Sequence, residues 1–102
     1  MVGAATKGGV ILDFQSQSSA LSVTELTAYI RQLFEMDDIL GRLRVCGELS
    51  NFRRHHSGHC YFTIKDTGAS LRCVMFRSRA IGLKFIPKDG MQVRLTGKVS
   101  VY

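Results

Sequence analysis

Two periods divide the chain. Val23, Leu26, Ile30 and Leu33 recur at helical spacing and form one apolar stripe. Just ahead of them, S-V-T-E places Glu25 three residues after Ser22, where each side chain can bond the other's orphan backbone N–H. A helix is therefore expected from Ser22 to about Met36. Its stripe is read most simply as a packing face, with a partner-binding helix as the sharper alternative. From Leu43 the period changes to two: Leu43, Val45, Gly47 and Leu49 fall on one side, and Arg44, Cys46, Glu48 and Ser50 on the other. Further strands are predicted from His59 to Lys65, from Ser70 to Arg77, and from Gln92 to the end. S-R-A-I-G-L-K-F-I-P-K-D-G between the last two reads as a short helical turn ending near Pro87, then a turn at Lys88-Asp89-Gly90.

The turn Asp66-Thr67-Gly68-Ala69 sets a hairpin register in which Lys65 faces Ser70. In steps of two, Ile64 then faces Leu71, Phe62 faces Cys73 and Cys60 faces Met75, so one side of the hairpin is wholly apolar and belongs in a core. The other side carries His59, Tyr61, Thr63, Lys65, Ser70, Arg72, Val74 and Phe76. Rings alternate there with hydroxyls and cations, the chemistry that stacks exposed bases and neutralises adjacent phosphates. A duplex would hide its base faces from those rings. The competing reading is that the N-terminal helix covers Tyr61 and Phe76 as a second small core.

Charge sharpens this picture. The net charge is +6 over 102 residues, but residues 21–41 are acidic, holding Arg31 against Glu25, Glu35, Asp37 and Asp38, and the basicity lies after residue 41. A module so biased attracts polyanions, which favours nucleic acid as partner over a surface merely tuned for solubility. The length suits one domain with one modest core. No apolar run is long enough for a membrane-spanning helix, and the N-terminus has neither a signal-like nor a transit-like pattern, so cytoplasmic residence is expected.

The remaining chemistry is sparse. The odd set Cys46, Cys60 and Cys73 lacks C-x-x-C spacing and is read as reduced. His55, His56, His59 and Cys60 look like zinc ligands by type, yet Cys60 and His59 are consecutive on a strand and face opposite ways; no metal and no cofactor are expected. After residue 41 the acidic side chains are Glu48, Asp66 and Asp89, too few for a two-metal nuclease, and Asp66 and Asp89 are read as turn residues bonding their own backbone. Asp37 and Asp38 are read as solvated. No catalytic residue is assigned. Arg53, Arg54, His55, His56 and Ser57 are placed in a loop that offers donors to phosphate.

This strand order is that of a mainly β OB-fold, a small Greek-key barrel for single strands, preceded here by an α-helix. The blocks L-S-V-T-E-L, V-C-G-E-L-S-N-F-R-R-H, S-G-H-C-Y-F-T-I-K-D, L-R-C-V-M-F-R-S-R-A, L-K-F-I-P-K-D-G and G-K-V-S-V-Y resemble, in order and spacing, the N-terminal domain of the large subunit of bacterial exonuclease VII. The resemblance spans residues 21–102. It implies a single-strand-specific DNA exonuclease with a small helical second subunit, in which this domain holds DNA and catalysis lies downstream. It maps binding onto Arg53, Arg54, His59, Tyr61, Lys65, Arg72, Phe76, Arg77 and Arg79. Of these, the hairpin register independently selects His59, Tyr61, Lys65, Arg72 and Phe76.

The domain plan is therefore a flexible extension at 1–20, a helix and connector at 21–41, and a barrel at 42–102. A five-stranded barrel lacks its last strand in this plan, as if truncated after the fourth. Val10–Phe14 or a second copy is expected to cover the open edge. The activity expected of the chain alone is binding of single-stranded DNA without hydrolysis; the alternatives are a barrel that docks an acidic protein, RNA binding, and a small autonomous hydrolase.

Overall fold

Ser22 starts the helix through the reciprocal cap its sequence suggests. Its Oγ accepts the Glu25 N–H at 3.0 Å, and its own N–H donates to Glu25 Oε1 at 3.4 Å. The computed structural model describes residues 2–5, 12–14 and 20–101, and within them this helix, α1, spans Val23–Met36. Asp37, expected only to be solvated, ends it: Oδ1 accepts the N–H groups of Ile39 and Leu40 at 2.9 and 2.8 Å, turning the chain toward the barrel. The packing expected of the apolar stripe is not seen. No residue of α1 is buried, and Val23 and Leu33 remain 83 % and 50 % exposed.

The other elements are β1 (Val2–Ala5), β2 (Leu43–Arg54), β3 (Cys60–Lys65), β4 (Ser70–Met75), α2 (Arg77–Ala80) and β5 (Gln92–Val99). Antiparallel pairing runs β5-β2-β3-β4, and β1 bridges the two ends to close the barrel, antiparallel to β4 and parallel to β5. The closing strand is thus Val2–Ala5. Of the Val10–Phe14 segment expected there, residues 12–14 form no strand, and residues 10 and 11 lie outside the described residues. With β1 in place, β4 and β5 are both paired along the edges that the sequence leaves open.

The β3–β4 hairpin has the register read from its turn: Lys65 opposite Ser70, Ile64 opposite Leu71, Phe62 opposite Cys73, Cys60 opposite Met75. Asp66 fixes the turn by accepting the Gly68 and Ala69 N–H groups at 2.8 and 3.0 Å. The inward residues Leu49, Phe62, Ile64 and Cys73 form the core, and Val45, Phe52, Leu71, Met75, Val93 and Leu95 pack around it. Gly47 lets β2 and β3 approach closely, since a Cβ there would sit 2.8 Å from both Ile64 Cγ1 and the Lys65 carbonyl. Burial pushes the Cys73 thiol up from 9.0 to about 11, against a smaller opposing effect of a hydrogen bond to Ile64, so this thiol stays protonated.

Several boundaries differ from the sequence reading: β3 starts at Cys60 rather than His59, and β5 stops at Val99 rather than running to the end. β2 runs through Arg53 and Arg54, which are strand residues rather than loop residues. β4 stops at Met75, so Phe76 is the N-cap of α2 and Arg77 its first residue. The predicted helical turn is only Arg77–Ala80, and irregular chain continues from Ile81 to Pro87.

Candidate nucleic-acid interface

One irregularity in β2 decides which way its basic end points. Ser50 pairs with Thr63, but the next pair is Arg53 with Tyr61, so β2 spends one residue more than β3 on this step. Such a bulge bends the strand and re-aims the residues after it. Asn51 takes up the change with φ +52°, a conformation that Asn tolerates better than most residues. The bulge is held from outside the hairpin: the Phe52 N–H donates to Asp89 Oδ1 at 2.9 Å, and the Gly90 N–H donates to the Leu49 carbonyl at 2.8 Å. Asp89 is therefore a tertiary clamp and not the self-bonded turn residue expected from K-D-G. As a result Phe52 turns inward and stacks on Phe62, with ring centroids 5.8 Å apart, and Arg53 turns outward beside Tyr61.

Cross-strand pairing then builds an outer face in rows. Arg53, Tyr61 and Val74 form one row; Ser50, Thr63 and Arg72 the next; Glu48, Lys65 and Ser70 the third. Arg53, Lys65, Ser70 and Arg72 are exposed, while Tyr61, Thr63 and Ser50 are half-buried. Val74 departs from expectation: it shares this face by register but is 6 % exposed. Lys65 pairs with Glu48 at 3.4 Å. An exposed pair of this kind contributes about 0–1 kcal/mol, which leaves the ammonium available to a phosphate.

At the open end of the hairpin, the rings of His59 and Phe76 meet edge to face at 5.5 Å. The Arg77 N–H donates to His59 Nδ1 at 2.9 Å, which places the proton of the neutral imidazole on Nε2 and ties the β2–β3 loop to the start of α2. Gly58, with φ +94°, permits this approach, because a Cβ there would meet Arg77 Cγ at 2.8 Å. His55 stands edge-on to Tyr61 at 6.4 Å and close to His56 at 3.9 Å. The second core proposed over Tyr61 and Phe76 is not formed by α1, which buries none of its own residues, and Phe76 stays 41 % exposed.

The structure therefore joins Arg53, Tyr61, Lys65 and Arg72 on one surface, with His59 and Phe76 at its end. Arg54 is set apart. It pairs with Cys60, which faces the core, so it leaves the barrel on the side opposite Arg53 and lines a cleft with Phe52, Ile81 and Phe85. Arg77 and Arg79 sit on α2, off the strand face. Phe85 was not singled out by sequence reasoning, since an aromatic in an irregular loop shows no periodicity that would reveal its exposure. Among the described residues no three His, Cys, Asp or Glu side chains converge as a metal site, and no helix is long and apolar enough to cross a membrane.

Comparison with known proteins identifies the domain family. Residues 21–102 match the family of OB-fold nucleic acid binding domains. The chain is 54 % identical over 82 residues to the exodeoxyribonuclease 7 large subunit of Clostridium acetobutylicum, covering 80 % of this chain and 21 % of that protein. It is 49 % identical over 81 residues to that of Ruminiclostridium cellulolyticum, and 51 % identical over 82 residues to that of Natranaerobius thermophilus, covering 20 % and 19 % of those proteins. It thus spans about a fifth of the length of the curated relatives it matches. With the closed five-stranded barrel and the match over residues 21–102, the chain belongs to the OB-fold nucleic acid binding domain family, in the form found in exodeoxyribonuclease 7 large subunits.

Proposed function

We propose that this domain binds single-stranded DNA, without sequence preference, on the outer face of β2, β3 and β4, and presents it to a nuclease centre elsewhere in the whole protein. The observation that carries the reading is the row in which Arg53 stands directly opposite Tyr61, beside the row holding Arg72. A half-buried ring with cations on neighbouring strands suits a splayed single strand, whose bases offer faces to stack on while its phosphates are neutralised alongside. Lys65, His59 and Phe76 extend the same surface in both directions. Hydrolysis is assigned to the remainder of the protein, because this domain offers Glu48, Asp66 and Asp89 as its barrel carboxylates and two of them are occupied in backbone hydrogen bonds. Assembly with a small subunit likewise falls to the remainder.

The test is titration of fluorescent oligo-dT at two salt concentrations, with duplex DNA and oligo-U as controls. Tight binding of oligo-dT, a fall in log affinity of about 0.7 per neutralised phosphate against log salt, and weak duplex binding are expected. No oligonucleotide binding at physiological salt would instead indicate a barrel that docks protein. Equal binding of oligo-U would extend the reading to RNA. Degradation of labelled DNA by the purified chain with a divalent metal would overturn its assignment as a non-catalytic domain.

A further inference from the structure

Behind the strand face, between the end of β2 and the chain from α2 to Pro87, lies a cleft of about 510 Å³. Its floor is the buried Ala80 and the inward Phe52, and its walls are Arg54, Ile81 and Phe85. Phe85 is 50 % exposed and Ile81 79 % exposed, so the apolar lining is open to a visitor. The surroundings are cationic. Arg54 forms part of the wall, Lys84 is exposed next to Phe85, and Lys88 is exposed just past the cleft. Asp89, the nearest carboxylate along this segment, is engaged by the Phe52 N–H. An apolar cleft with a ring, a guanidinium and no carboxylate on its lining complements a nucleobase whose phosphate lies on the cationic rim.

We infer that this cleft is a nucleobase pocket, which takes one unpaired base of the single strand lying on the outer face. The inference rests on the proposed single-strand binding. Continuity comes from strand alternation after the bulge: Arg53 and Arg54 are consecutive and leave β2 on opposite sides, so a strand that passes Arg53 on the outer face is met by Arg54 as it rounds the barrel end. Phe85 then stacks the base, Ile81 closes the far side, and Arg54 holds the phosphate. Tyr61 and Phe85 thus serve two different nucleotides of one strand.

The experiment places 2-aminopurine at successive positions of a short oligo-dT and measures affinity and probe quenching with the full chain, with Phe85→Ala and with Ile81→Glu. Both variants are expected to weaken binding, Phe85→Ala by roughly five- to hundredfold. Both should relieve quenching at one end of the oligonucleotide while Tyr61→Ala relieves it at a different position. An abasic site at the pocket position should abolish the effect of Phe85→Ala. Ile81 is so exposed that its substitution leaves the fold intact, so it reports on the pocket even if Phe85→Ala unfolds. Wild-type binding that neither variant weakens overturns the pocket but leaves the strand-face reading standing, and is the outcome if the cleft serves an apolar peptide segment. Failure of the wild type to bind any oligonucleotide overturns both.

Discussion

Tyr61 is the residue on which the proposed binding face turns. Its direct partner across the ladder is Arg53, and direct pairs bring Cβ atoms to about 5 Å. A base stacked on the ring therefore has a guanidinium within reach of its phosphate. Replacing Tyr61 with Ala is expected to cost about 1–3 kcal/mol of oligo-dT affinity with the salt slope unchanged. Replacing Arg72 with Ala should instead flatten the slope by about 0.7, since a phosphate contact and not a stack is lost. Equal affinity in the Tyr61→Ala protein would remove that ring from the site. Cys73 supports a different prediction. Its folded pKa of about 11 lies above its ordinary 9.0, so between these values the unfolded chain has released a proton that the folded chain retains. The contribution of this thiol to stability should be complete below pH 9 and fall as pH rises toward 11. Thermal melting across that range tests this, and a Cys73→Val protein should show a flatter fall. The same burial predicts that a thiol reagent labels exposed Cys46 in the native protein, and buried Cys60 and Cys73 only after unfolding.

At the scale of elements, the β2 bulge connects the barrel core to the proposed binding face. Asp89→Ala removes the acceptor for the Phe52 N–H, and a stability loss of about 1 kcal/mol is expected. The more telling consequence is functional: with its clamp gone the bulge relaxes, Arg53 loses its position beside Tyr61, and oligonucleotide binding weakens although residue 89 lies off the strand face. Denaturant melts and anisotropy titrations of the same variant measure the two effects; unchanged binding would separate the bulge from the site. The bulge also marks where sequence reasoning stops. The β3–β4 register was legible because D-T-G fixes the turn and the apolar residues alternate without interruption. Nothing local in S-N-F-R-R announces that Asn51 adopts positive φ, and the carboxylate that holds the bulge is 37 residues from Phe52, its partner. Arg53 and Arg54 were consequently placed together in a loop, whereas the structure sends them to opposite sides of one strand. Phe76 was grouped correctly with His59 but assigned to the strand rather than to the cap of α2.

For the whole molecule, the closed barrel is the feature that keeps the outer face of β2, β3 and β4 in place. Four strands curl around Leu49, Phe62, Ile64 and Cys73, and Val2–Ala5 completes the ring. That fifth strand was the least legible part of the fold, since V-G-A-A has neither alternation nor a turn signal to mark it. The helix was legible in its cap and stripe, but the stripe does not find the partner expected of it, and α1 keeps its apolar side exposed. Residues 21–41 carry an acidic balance and residues 42–102 a basic one. The proposed binding predicts faster association with polyanions at low salt. The most direct measurement is an amide chemical-shift map of the labelled protein as oligo-dT is added. Perturbations concentrated at Arg53, Tyr61, Thr63, Lys65, Arg72 and Phe76 are the predicted result. Perturbations confined to α1, or to the Arg44 and Arg94 side of the barrel, with the β3–β4 face silent, would contradict the account.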